Sequence, residues 1–311
     1  MIRHLVLAAP LALAAWLVPG AAQAARDACP QAAAIVHMAY PEAPAPDGEG
    51  NLRLGQDNIV IRIAEADYGE PFAVTCKTWP AQPGLLLAAI PLMQDTPNQD
   101  DGHTGDLRLL VLDSSSLKIR HDIRLEGLMS DDAVRLTNVA FDTARYDLAP
   151  GRRAFGLRIS RVGASRANPF DETSLRLFDI GPKGLAMVLD GLTASRSGGE
   201  WDTNCAGRFT SRAVTLSMAD TVTQGYRDIV TSESYESSRA AVVRGDCEEK
   251  VVDKGKTPRT LKFDGQRYPI PQPLRSMDRD GVPDYPAPRP AGTKSAYRHA
   301  KNVLLAAGLT A

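Results

Sequence analysis

Between residues 52 and 270 runs of period-2 apolar alternation recur, while the 3.6-residue spacing of an amphipathic helix is almost absent. Such alternation sets one side of an extended chain on a core and the other in water. In the clearest run Leu117, Ile119, His121, Ile123 and Leu125 face one way, and Lys118, Arg120, Asp122, Arg124 and Glu126 face the other. Ile59-Ile61-Ile63, Leu107-Leu109-Val111, Phe155-Leu157-Ile159 and Val214-Leu216-Met218 repeat it. Turn chemistry separates the runs: Pro150-Gly151 suits a type II turn, and Asp264-Gly265 is a two-residue hairpin signal. The polar run from Thr231 to Ser238 reads as a solvated loop between apolar segments. The pattern predicts an all-β fold.

The hairpins carry a faint internal repetition. Leu107 to Asp113 with its following turn and strand resembles Leu175 to Asp179 with the turn and strand after it. Four-stranded units are expected near residues 72–128, 134–194 and 206–270, preceded by a hairpin near 52–64. Three such units would form either a propeller-like array of antiparallel hairpins or a sandwich of packed sheets.

The ends differ from this middle. Arg3 and His4 precede an apolar run from Leu5 to Val18, and Ala22-Gln23-Ala24 supplies a small-x-small cleavage site, so residues 1–24 read as a secretory signal peptide. The β-rich domain then covers 25–270. Six prolines stiffen a linker or tail over 271–293, and an apolar stripe of Tyr297, Ala300, Val303, Leu304 and Ala307 predicts a short C-terminal helix within 294–311.

Cleavage leaves 287 of the 311 residues, and loss of Arg3 leaves 35 basic against 37 acidic side chains, a formal charge of −2. That balance offers no footprint for nucleic acid, and no basic cluster marks an anionic membrane. No membrane span is expected after cleavage. Four cysteines, Cys29, Cys76, Cys205 and Cys247, remain, and an even count in an exported chain reads as two disulfides and a periplasmic or secreted location. Of the three connectivities we favour Cys29 with Cys76 and Cys205 with Cys247, because each closes a loop of about 40 to 50 residues within one half of the chain. Trp79 and Trp201, close to cysteines in sequence, are expected to pack on the bridges.

Chemistry-bearing patterns are sparse. Asp278-Arg-Asp280-Gly281-Val-Pro-Asp284 resembles half of a thrombospondin type 3 or dockerin-like calcium loop, with Ser276 where the full pattern begins on another aspartate. The resemblance implies calcium held by Asp278, Asp280 and Asp284. No other cofactor is expected. Asn98 to Leu107 is similar to the acidic loop of an FG-GAP or VCBS-type propeller repeat, with its last aspartate, Asp106, one residue late. Gly163-Ala-Ser165-Arg-Ala167 lacks the second glycine of a nucleophile elbow, and no His-Glu-x-x-His run exists. No nucleophile, base and orienting acid assemble from the sequence. The expectation is therefore an exported, non-catalytic binding protein with a protein partner in the envelope or outside the cell, acting as an inhibitor or neutralising partner. The alternative is a secreted hydrolase built from distant loops around His103, Asp100, Asp101 and Asp106.

Overall fold

The run Leu85 to Leu92 is apolar at every position, so a strand made of it must be covered on both faces. The computed structural model describes residues 29–55, 58–63, 71–95 and 102–279, and it builds the first of two sheets around this run. The sheet comprises β1 (Asn51–Leu54), β2 (Ile59–Arg62), β3 (Thr75–Thr78), β4 (Leu85–Gln94), β5 (Gly105–Asp113) and β6 (Ile119–Leu125). Its order is β1-β2-β4-β5-β6, with β3 also paired to β4. Pro91 cannot donate to a ladder, and it falls between the stretches of β4 that pair with β3 and with β2.

Alternate residues of β4 and β5 serve two cores. Leu87, Ala89, Leu107, Leu109 and Val111 pack against Phe141, Phe155, Leu157, Ile159 and Phe178 of the second sheet, where Trp79 meets Phe155 edge-on at 5.3 Å. Leu86, Ala88, Ile90, Leu110 and Leu112 pack on the other side under Ile35 and Val36 of α1 (Ala32–Ala39). Burial of each such side chain is worth about 1.5 to 3 kcal/mol. Cys29, at the start of the helix, is bonded to Cys76 of β3, as expected. Trp79 departs from expectation: three residues from Cys76, it falls on the opposite face of the strand and enters the inter-sheet core.

The second sheet is a continuous antiparallel meander of β7 (Val134–Ala149), β8 (Arg152–Gly163), β9 (Phe170–Gly181), β10 (Gly184–Trp201), β11 (Gly207–Thr223), β12 (Tyr226–Val243) and β13 (Asp246–Leu261), each paired with the next. Gly151, at φ +70°, makes the turn from β7 to β8. Gln224-Gly225 and Arg244-Gly245 have φ of 53° and 85°, and 54° and 94°, the left-handed pair that a two-residue hairpin needs to match strand twist. The sheet coils until β7 touches β11 and β12, but β7 and β13 do not pair, so no barrel closes. A third core fills the coil, with Tyr146, Leu148, Leu177, Leu189, Val214 and Ile229 among its members.

The strands of the stretches 134–194 and 206–270, read from the sequence as two units, belong to this one sheet, which ends at Leu261. They are joined by β10 and β11, paired from Ser195↔Ala213 to Trp201↔Gly207. The segment Thr231–Ser238 is the middle of β12 rather than a loop, because ladders to β11 and β13 satisfy its backbone on both sides. Asp264-Gly265 turns, but the chain beyond it does not pair back on β13. It crosses instead to β10, where Tyr268 N donates to Val188 O at 2.7 Å, and residues 271–279 run on as a strap over the sheet. The expected signal peptide, C-terminal helix and proline-rich segment beyond 279 lie outside the described residues.

Candidate functional site

Rows of paired residues give the second sheet two chemically distinct faces toward the ends of its long strands. One row runs Arg161, Glu172, Arg196, Arg212 and Tyr235 across β8 to β12. The strap lies on this face. Arg275 O accepts from Thr193 Oγ1 at 2.9 Å and from Arg196 Nη2 at 3.1 Å, Pro273 O accepts from Arg212 Nη1 at 2.8 Å, and Met277 N donates to Glu172 Oε1 at 2.9 Å. Glu172 is almost wholly buried and takes Arg196 Nε at 2.6 Å.

Asp278 ends the strap inside this network. Its carboxylate pairs with Arg176 at 2.5 Å and Arg161 at 3.5 Å, and accepts the Ser276 hydroxyl. Burial by itself would raise its pKa. The two guanidinium groups and the hydroxyl outweigh that penalty and hold it down at about 2. Arg176 also pairs with Asp190 at 3.1 Å, while Arg161 donates to Leu128 O at 3.0 Å. Of the three aspartates of the calcium-loop resemblance, Asp278 is thus engaged by two arginines, and Asp280 and Asp284 lie outside the described residues.

His103 stands where the two sheets join. Its Nδ1 lies 2.6 Å from Oδ1 of Asp131, and Phe72 covers the ring at a centroid distance of 4.5 Å. Asp131 is buried and also accepts Leu136 N at 2.7 Å, which fixes its carboxylate. Arg135 Nη1 is 3.5 Å from the same ring nitrogen. Asp131 went unnoticed in the sequence because it lies 28 residues from His103, and no local spacing marks the pair. Asp106, by contrast, holds Arg124 Nε and Gly127 N, both at 2.7 Å, and does not join His103; Asp100 and Asp101 lie outside the described residues. Ser165 Oγ accepts Asn168 N at 3.0 Å in an exposed turn. Half-buried His121 shares its side of β6 with Ile123 and Leu125, but a bulge at Arg120 turns Ile119, and with it Leu117, toward the core under α1, so the run does not keep the single face that its alternation predicts. Among the described residues no three His, Cys, Asp or Glu side chains are grouped to hold a metal ion.

The face opposite the strap is apolar near its disulfide. Its rows are Gly199-Phe209-Ser238-Val251 and Trp201-Gly207-Ala240-Glu249, with Val242 opposite Cys247, and Val162 lies on the same face through Asp171, Ser197 and Ser211. A Cβ on Gly199 would come within 2.5 Å of the Phe209 ring, and one on Gly207 within 2.9 Å, so the ring occupies the space that these two glycines leave open. Cys205, in the turn after β10, is bonded to Cys247 of β13 and clamps the end of the four strands. Val242 is 60% exposed and Val251 51%.

Asp278→Asn is expected to lower stability by about 3 kcal/mol, because it leaves buried Arg161 without its carboxylate partner. The depressed pKa gives a sign to the pH dependence: stability from Asp278 is complete above its unfolded value near 4 and is lost as pH falls toward 2. Urea unfolding of both proteins at pH 7, 4 and 2.5 checks this, and the gap between them should shrink at the lowest pH.

No protein-family model matches this chain, and no curated protein or solved structure is significantly similar to it.

Proposed function

We propose that this is an exported, non-catalytic binding protein that engages a protein partner, as an inhibitor or neutralising factor, through the disulfide-clamped end of β10 to β13. The observation that carries the reading is one face that sets exposed Val162, Val242 and Val251 beside half-buried Trp201 and Phe209. Monomeric surfaces scatter single apolar residues, but aromatic and aliphatic side chains gathered on one face are the usual core of a protein contact. Rigidity adds to this. With Phe209 seated over two glycines and a disulfide at the strand ends, little ordering entropy would be lost on binding. Two disulfides also suit an oxidising compartment, where such a partner would be met.

A second reading, a secreted hydrolase, is favoured by His103 alone. With Nδ1–H given to Asp131, its Nε2 would carry the lone pair of a general base, the role that a buried aspartate commonly fixes in a histidine.

One set of experiments separates the two. Partner protein co-purified with the mature wild-type chain from envelope and culture fluid should be lost with Val242→Asp, whose thermal midpoint should stay within a few degrees of wild type, since the residue is exposed. Equal capture of the same partner by both proteins overturns the binding reading. Turnover of ester substrates that falls at least 100-fold in His103→Ala would instead establish the hydrolase.

A further inference from the structure

β13 is the last strand of its sheet, and no strand among the described residues pairs with its outer side. Sixteen residues of free edge would ordinarily invite indiscriminate pairing, and charged side chains are the usual defence. Here the charges are sorted along the strand. Asp246, Glu248 and Glu249 are acidic in the first half, and Lys254, Lys256 and Arg259 basic in the second. Lys250 and Asp253 cross over at the middle, around Val251 and Val252, which are 51% and 64% exposed.

A bulge at Val252 decides which side chains share a face. β12 pairs Arg239 with Lys250 and Ser237 with Asp253, and Arg239 and Ser237 are two residues apart. Lys250 and Asp253 therefore project from the same face, the one that carries the strap, although their odd spacing would divide them in a regular strand. By the same count Glu249, opposite Ala240, and Lys254, opposite Glu236, share the other face.

We infer that β13 pairs antiparallel with β13 of a second copy of this chain, about a two-fold axis perpendicular to the sheet, in the register that sets Val251 opposite the second copy's Val252. Such an axis superposes like faces, so the pairing has to match residues that share a face. In this register Lys250 meets the second copy's Asp253 on one face, and Glu249 meets the second copy's Lys254 on the other. Two-fold symmetry makes each pair twice. Glu248 faces Gly255, which carries no charge, so no like charges stand directly opposite. A parallel copy in register would set like charge against like along the whole edge, and an unrelated strand would meet acidic and basic halves that it does not match. The sorted charges thus defend the edge and select its partner. Joined this way, two seven-stranded sheets become one of fourteen. The backbone pairing uses the strand edge, and the residues exchanged to test it, Lys250 and Asp253, lie on the strap side rather than on the apolar face of Val242, so it stands or falls independently of the proposed function.

Sedimentation velocity on the mature protein at 5 to 100 µM, in about 50 mM and 500 mM salt, tests it. Wild type should dimerise, more weakly at high salt. Lys250→Asp sets aspartate against Asp253, and Asp253→Lys sets lysine against Lys250, so either protein alone should be monomeric or at least tenfold weaker. Both positions are on the surface, and circular dichroism should be unchanged. An equimolar mixture of the two single variants should form a heterodimer, and the double variant Lys250→Asp/Asp253→Lys should regain the homodimer. A monomeric wild type at 100 µM in low salt, a dimer indifferent to the single changes, or a double variant that stays monomeric overturns the inference.

Discussion

The Phe209 ring lying over Gly199 and Gly207 is the contact on which the shape of the protein depends. Past Ala194 the sequence of β10 runs Ser-Arg-Ser-Gly-Gly-Glu-Trp, which offers little to keep a strand extended. Glycine there raises the entropic cost of order, and an aromatic ring on the neighbouring strand supplies the packing that the missing side chains do not. Because β10 persists to Trp201, β11 has a strand to pair with, β12 and β13 follow, and Cys205 comes within bonding distance of Cys247. Tyr235, lying on Gly255 across β12 and β13, repeats the device on the other face.

The strap is held by charges that have left water. Removing a guanidinium and a carboxylate from solvent costs several kcal/mol per ion, and the cost is offset only where geometry and hydrogen bonding are good. Arg176 with two carboxylates, and Glu172 with Arg196 and the amide of Met277, satisfy that condition. A purely apolar strap would slide, whereas these directional contacts fix the register of residues 272–278 over β8 to β11. The burial of Asp278 at the end of the strap follows from the same arrangement, and its acidity reports on it.

The antiparallel β character and the disulfide pairing were legible from the sequence, for physical reasons, whereas the division into two sheets was not. Alternation in β5 and β8 reports an extended strand directly, as the rows Leu107-Leu109-Val111 and Phe155-Leu157-Ile159 that enter the inter-sheet core, and loop length separates the cysteine connectivities. The outer halves of β10 and β12 were not legible, since Ser, Glu and Gly alternate there with side chains of similar polarity and leave no period to read. Their ladders are set by the neighbouring strands. The Arg161, Glu172, Arg176, Arg196 and Asp278 network was hidden because its members lie on three strands and a strap up to 117 residues apart. The His103–Asp131 pair was hidden in the same way. Helix α1 did leave a signal in Ala32, Ile35 and Val36, spaced as one helical face beside an alanine-rich N-terminal sequence that masked it.

The apolar face at Val242 and the free edge of β13 both require that the far half of β10 to β13 be a firmly paired sheet. Amide hydrogen exchange over residues 195–212 and 236–251 tests this most directly. The account predicts protection of the inward-bonded amides there within about tenfold of those in Val214–Met218 of the same sheet, and loss of that protection in Phe209→Ala. Exchange across 195–212 and 236–251 at unprotected rates, with Val214–Met218 still protected, would contradict it.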